Sequence, residues 1–407
     1  MSVPDFPHSD EYRLKVKKPS LLTLIVLISY GSIGAALFTP AIPAVMDRFG
    51  IDASKAQLTI MIYLVGYSLG QLIYSPLAKA FGRKPALYTG IGISLIGMLL
   101  SALAGPIDSF FLLVMARLIS ALGASVGLSL TFLMISDYFY EKHARKVTAY
   151  TMLAFAVIPG VAIALGGFFV AYLGWESCFY FLMLYALFTL FLVYRLPETG
   201  GIKEKDATKA KTIFTAYRRD FKNNILVLYS VMISFTTAII YIFAATAPVI
   251  VIKMMGVSPD TYGLMNLIPA AGYFIGNFAA ARLSNHLKIK TVLKTGIVLM
   301  GIGVVVLAAL LYFGFWSPLT LFFPMLIVYF GIPLFYSNAA VLATFRVPDK
   351  PNASSIMSFL NIGGAVLGLI VIELLHGNPI YIMPSIFLLL VALVILLFRK
   401  GQRLIED

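Results

Sequence analysis

Charge is scarce in this chain. Only 12% of its residues are Asp, Glu, Lys or Arg, where a soluble globular protein carries about 25%. Cys178 is alone, so no disulfide can form within the chain. The histidines are His8, His143, His286 and His376, with no HExxH pattern and no cysteine pair beside them. There is no GxxxxGK[ST] loop to cradle a nucleotide. A metal centre, a bound cofactor, a catalytic set and an ATP-driven engine are therefore all without a sequence basis. The two tryptophans, Trp175 and Trp316, both sit at ends of apolar runs, where an aromatic belt at a bilayer surface would place them.

What fills the chain is apolar surface, at 60% of its 407 residues. No soluble core hides that much, and twelve bilayer-crossing helices at about 20 residues each would use it. The runs are continuous rather than alternating, which excludes a β-barrel. The predicted spans are 21–43, 55–77, 85–104, 110–138, 147–172, 176–195, 224–250, 262–283, 291–313, 318–345, 354–375 and 379–398. The first run ends in FTPAIP rather than a small-residue cleavage site, so it reads as an uncleaved span. The longest polar break, 197–223, is charged and poor in large apolar groups, and reads as a linker. The predicted organisation is an N-terminal tail (1–19), a six-helix lobe (20–196), the linker (197–223), a second six-helix lobe (224–400) and a C-terminal tail (401–407).

A formal charge of +13 would suit a nucleic-acid binder, but the basic residues are segregated. Only Arg48, Lys55 and Lys253 fall in loops of one side, and Arg117 lies inside a span. Every other Lys and Arg falls in the tails, the linker, the loops of the other side or the span ends that adjoin them. The positive-inside rule makes that basic side cytoplasmic, with both termini on it, and turns the charge into a topology signal rather than a nucleic-acid footprint.

The halves also repeat. GIDASKAQLTIMIYLVGYSLGQ at 50–71 matches GVSPDTYGLMNLIPAAGYFIGN at 256–277 at a constant offset of 206 residues. Gly66-Tyr67 pairs with Gly272-Tyr273, and Gly70-Gln71 with Gly276-Asn277. Both copies run in the same direction across the bilayer, which makes them parallel repeats.

Several motifs then carry a resemblance. SPLAKAFGRKPAL at 75–87 is similar to the loop between helices two and three of the major facilitator superfamily, matching at Pro76, Leu77, Gly82, Arg83 and Lys84. The usual acid of that loop is Lys79 here. Arg117 and Gly123 match the family's fourth-helix pattern. Pro159-Gly160 with Gly166-Gly167 resembles the antiporter motif of drug exporters. Thr39-Pro40-Ala41-Ile42-Pro43 and Ala247-Pro248 resemble the drug:proton antiporter branch, in particular its Bcr/CflA-type multidrug exporters. The resemblance covers nearly the whole chain. It implies an all-α integral membrane protein with the major facilitator fold, set as a monomer in a bacterial inner membrane. It also implies alternating access between two lobes, a small-molecule substrate and protons as the coupling ion.

The candidate site residues follow. Arg117 is a charge well inside a span, where charges are costly and mark function by default. It is expected to face the cavity as a substrate or proton-coupling group. By resemblance, spans one, four, seven and ten line that cavity, with Tyr30, Ser120, Tyr241, Tyr336 and Asn338 as contributors. Tyr67, Gln71, Tyr273 and Asn277 flank it. Arg83 is expected to pair with Asp137 beside Gly82 as a gate on the cytoplasmic side. Pro159, Gly160, Gly166 and Gly167 are expected to shape a rocking interface. Bcr/CflA-type exporters usually carry an Asp at the position held here by Ala36, so the first span has no carboxylate. Glu373 is the only acid well inside a span, and so the alternative proton carrier. Arg117 without a central acid also favours an anionic substrate, such as a carboxylate metabolite or siderophore, over a lipophilic cation. The leading expectation remains proton-coupled export of small amphipathic compounds. A ligand-binding sensor that moves nothing is the expectation of a different class.

Overall fold

The computed structural model describes residues 18–139, 141–199, 218, 221–284, 286–345, 347, 350–375 and 377–406. Every regular element among them is helical. The first span runs Leu21–Phe49 through a 3₁₀ turn at Thr39–Ala41, where Pro40 removes a backbone donor. The second is Ala53–Phe81 and the third Arg83–Ile107. The fourth is a helix pair, Phe110–Ala124 and Val126–Tyr138. Glu141–Leu173 and Ser177–Arg195 complete the first half. The seventh span is Asn224–Pro248, continued by a π-helical turn at Val249–Met254, and the eighth is Pro259–Met265 with Leu267–Leu283. Ile289–Tyr312, Pro318–Phe345, Lys350–Leu374 and Pro379–Glu406 follow.

Ten of these are long and apolar enough to cross a bilayer. The fifth and eleventh contain shorter apolar stretches, Val157–Leu173 and Ile356–Ile372. Several helices outrun the predicted spans because hydropathy marks only the part in lipid, and a helix continues into water on polar residues. The second reaches Phe81 rather than 77, and the twelfth continues to Glu406 rather than 398. The predicted linker lies mostly outside the described residues. At its end, Asn223 caps the seventh span by accepting from the backbone N–H of Ile225 and Leu226.

The sequence repeat has a structural counterpart. In lipid there is no hydrophobic drive between helices, so close backbone approach at small residues sets the packing. Gly66 and Gly70 press the second span onto the carbonyls of Leu118 and Leu122 in the fourth. Gly272 and Gly276 press the eighth onto those of Leu326 and Phe330 in the tenth. A second pair of crossings obeys the same symmetry. A Cβ added to Gly97 would come within 2.8 Å of the Ala116 carbonyl oxygen, and one added to Gly303 within 2.8 Å of that of Pro324. Gly90 and Gly296 likewise lie against the carbonyls of Gly123 and Gly331.

The halves meet through three sets of contacts. The fifth span packs on the eighth, with Gly160 against Ala270 and Gly167 against Pro259 and Gly263. The second span crosses the eleventh, where the Ser68 hydroxyl donates to the Phe359 carbonyl at 3.4 Å. On the face opposite the basic one, Lys253 pairs with Asp47, and the Tyr172 hydroxyl donates to Asp260 at 3.4 Å. These contacts close the lobes together on that face.

The glycine crossings yield a matched prediction. Gly97→Val and Gly303→Val should each cost about 3 kcal/mol, the upper end of an overpacking penalty, because the new side chain meets backbone that cannot swing away. Gly92→Val in the same third span should be tolerated, since nothing lies near that site. Thermal melting of purified protein checks this, and equal melting of Gly97→Val and Gly92→Val would refute it.

Candidate functional site

Two polar constructions stand out, one at the basic face and one between the lobes. At the basic face the second span ends on Gly82, whose φ of 109° is a conformation that favours glycine. This turn starts the third span at Arg83. The Arg83 Nε donates to Asp137 at 2.9 Å, Nη2 reaches the other carboxylate oxygen at 3.3 Å, and Nη1 donates to the Ala78 carbonyl at 2.8 Å. The Arg83–Asp137 pair expected from the sequence is thus formed, and both groups are buried. Glu198, just beyond the sixth span, accepts the backbone N–H groups of Arg83 at 2.8 Å and Lys84 at 3.0 Å. Its charge sits on the positive end of the third helix, where an anion is stabilised. A Cβ at Gly82 would lie 2.9 Å from this carboxylate, so the turn demands glycine twice over. The sequence shows Glu198 only as one letter of a motif; its capping role emerges from the fold.

Arg117 departs from expectation. It is fully buried, but inside the first lobe rather than facing an open cavity. Nη1 donates to the Gly34 carbonyl at 2.9 Å and Nε to that of Thr59 at 3.4 Å. The guanidinium lies 4.1 Å from the Tyr63 ring centre and 4.9 Å from that of Phe38. It ties spans one, two and four together beneath an aromatic cover. Its Nη2 has no partner among the described residues.

Three further expectations are corrected by packing. The Tyr30 hydroxyl donates to Ser94 at 3.2 Å and its ring stacks on Tyr185 at 6.0 Å, so it faces the third and sixth spans inside the lobe. Ser120 is packed under Gly97 at the crossing of spans three and four. Asn338 accepts from Ser284 and donates to its own helix at Leu334, within the second lobe. The Glu373 side chain and His376 lie outside the described residues. In the antiporter-motif helix, Gly166 packs on the Leu37 carbonyl within the lobe, whereas Gly160 and Gly167 face the other lobe. Pro159 leaves the helix Glu141–Leu173 unbroken.

The residues that do converge between the lobes are tyrosines. Tyr63 and Tyr67 come from the second span, Tyr241 from the seventh, Tyr273 from the eighth, and Tyr329 and Tyr336 from the tenth. Tyr63 stacks on Tyr67 at 6.4 Å, and Tyr273 meets Tyr329 edge to face at 6.2 Å. Tyr67 lies within electrostatic reach of Tyr241 and Tyr336, and Tyr273 within reach of both. Tyr241, Tyr273, Tyr329 and Tyr336 each keep part of their surface accessible. Asn361 of the eleventh span donates to the Tyr336 hydroxyl at 3.3 Å. Sequence reasoning found Tyr67, Tyr241, Tyr273 and Tyr336 but missed Tyr63, Tyr329 and Asn361. For Tyr63 the signal was available, since it stands one turn before Tyr67 on the same helix face.

Disrupting the basic-face construction gives a direct test. Asp137→Asn leaves Arg83 buried against a neutral partner and should lower stability by about 3 kcal/mol. Thermal melting of the purified variant measures it, and an unchanged midpoint would show that the pair contributes nothing.

Comparison with known proteins agrees with this geometry. Residues 22–371 match the family model described as Major Facilitator Superfamily. An uncharacterized transporter of Rickettsia bellii is 30% identical over 289 residues, covering 70% of each chain. A bicyclomycin resistance protein homolog of Haemophilus influenzae is 24% identical over 360 residues, covering 86% of this chain and 88% of that one. Among solved structures, a partially occluded inward-open form of the xylose transporter XylE from E. coli aligns with a TM-score of 0.70. It is 16% identical and covers 94% of this chain and 97% of its own, a likeness of fold alone.

Proposed function

The chain belongs to the Major Facilitator Superfamily, and from that premise we propose that this transporter exports small amphipathic, drug-like compounds by alternating access, coupled to protons. The tyrosine-lined space between the lobes carries the reading. Rings with polar tips offer apolar contact in several orientations, which suits a pocket that accepts varied ligands. The named relative is a bicyclomycin resistance protein homolog, and drug export is extended to this chain on that basis. We place the protein as a monomer in a bacterial inner membrane, with both termini and the basic face cytoplasmic.

In this scheme the lobes rock across the glycine contacts of the fifth and eighth spans. Arg83, Asp137 and Gly82 hold the cytoplasmic end of the first lobe and act in its gate. Glu373 is the proton carrier, because the first span lacks an acid at Ala36 and Arg117 is held by backbone carbonyls. The anion-carrier alternative drew on an Arg117 facing the cavity, and loses that support with its guanidinium behind Tyr63.

Reconstitution into liposomes tests the proposal. A substrate panel should show counterflow, and vesicles acidic inside should accumulate a substrate against its gradient. Glu373→Gln should keep counterflow and lose the gradient effect. If no transported compound responds to an imposed pH difference, proton coupling is wrong. If no compound shows counterflow, the protein is a sensor rather than a carrier.

A further inference from the structure

Resting on that reading of the inter-lobe space, we propose that it is a neutral-ligand site, read by three polar groups that find no partner among the described residues. They are the Tyr67 hydroxyl, the Gln71 amide nitrogen and the Asn361 amide oxygen. All three side chains are more than nine-tenths buried, and none of the three atoms has a hydrogen-bond partner among the described residues. Buried polar groups are nearly always paired, and an orphan costs free energy in the empty state that a ligand can recover. The three belong to one helix crossing. Gln71 lies one turn beyond Tyr67 on the same face of the second span. That span crosses the eleventh at Ser68 and Phe359, close in sequence to Asn361. Asn361 holds Tyr336, which in turn lies within reach of Tyr67. The first lobe supplies two of the groups and the second lobe supplies the third, so a ligand that joins them bridges the lobes.

The chemistry of the three selects the ligand. Gln71 offers a donor, Asn361 an acceptor, and the Tyr67 phenol can be either. A quaternary or lipophilic cation brings no acceptor and leaves Gln71 unmet. A carboxylate satisfies Gln71 and Tyr67 but sets its charge against the Asn361 oxygen. An uncharged aromatic compound with both an N–H or O–H and a carbonyl, such as an aryl amide, satisfies all three between the rings. Among the described residues the nearby cation is Arg117, which the face of Tyr63 covers and whose Nη1 and Nε donate to carbonyls. A site built to hydrogen-bond its ligand discriminates steeply against analogues that leave it unpaired.

The test uses matched triplets of probes. Each triplet shares one aryl body and ends in an N-acetylamine, a free ammonium or a carboxylate; one set is N-acetyltyramine, tyramine and 4-hydroxyphenylpropionate. Binding to the full-length protein in nanodiscs should favour the amide at least about tenfold over both charged members. Gln71→Leu and Asn361→Leu should each weaken the amide by about tenfold or more, with melting temperature confirming that the variants fold. Gln71→Glu should reverse the preference toward the ammonium member, which a purely structural role for Gln71 would not produce. Preference for either charged member by the unmodified protein, or amide affinity unmoved by all three substitutions, overturns the neutral site. Absence of amide binding in a protein that performs counterflow with other compounds overturns it too, while leaving the transport reading intact. Loss of counterflow for every compound is the separate failure of that reading.

Discussion

Inside a bilayer no water completes a hydrogen bond, so every polar group must find its partner within the protein or go without. This constraint organises the molecule. It makes the backbone helical throughout the membrane and lets close approach at glycines set many of the helix crossings. It also explains why a charge as costly as Arg117 is tied to two carbonyls and covered by two rings. Against that background, groups that have not been satisfied are the informative ones. Three of them, on Tyr67, Gln71 and Asn361, belong to the crossing of the second and eleventh spans, where the two lobes face each other.

The lobes share a scaffold but not a chemistry. The crossings at Gly97 and Gly303 use carbonyls at corresponding places, and the second and eighth spans pack in the same manner on the fourth and tenth. Arg117 has no such counterpart: the residue following Pro324, as Arg117 follows Ala116, is Met325. The first lobe is thereby cross-braced by a buried cation, while the second is held by apolar packing around Phe243, Phe322 and Tyr329.

The sequence disclosed the architecture well, because hydropathy, basic loops and repeated glycines are local signals. Twelve spans, the start of the seventh at 224 and the Arg83–Asp137 pair were all legible. The site was less so. Whether a residue on a cavity-lining helix faces the cavity depends on helix rotation, and rotation is set by crossings that composition does not display. Tyr30 and Tyr241 are indistinguishable as letters; packing turns one onto Ser94 and Tyr185 and brings the other within reach of Tyr67 and Tyr336. Arg117 was rightly singled out as unusual, but its surroundings, carbonyls rather than ligand, come from three helices at once. Asn361 escaped notice because the eleventh span was not counted among the lining helices.

The ion pair that joins the lobes opposite the basic face sets unlike residues at one position of the repeat. Asp47 and Lys253 stand 206 residues apart, the same offset that relates Gly50 to Gly256, so they occupy one position in the two repeats. Two identical six-helix units around a two-fold axis would set like charge against like at this contact. An acid facing a base there is open only to halves that have ceased to be copies. The pair thus fixes which half stands on which side of the contact, because neither half can offer this complement to a copy of itself.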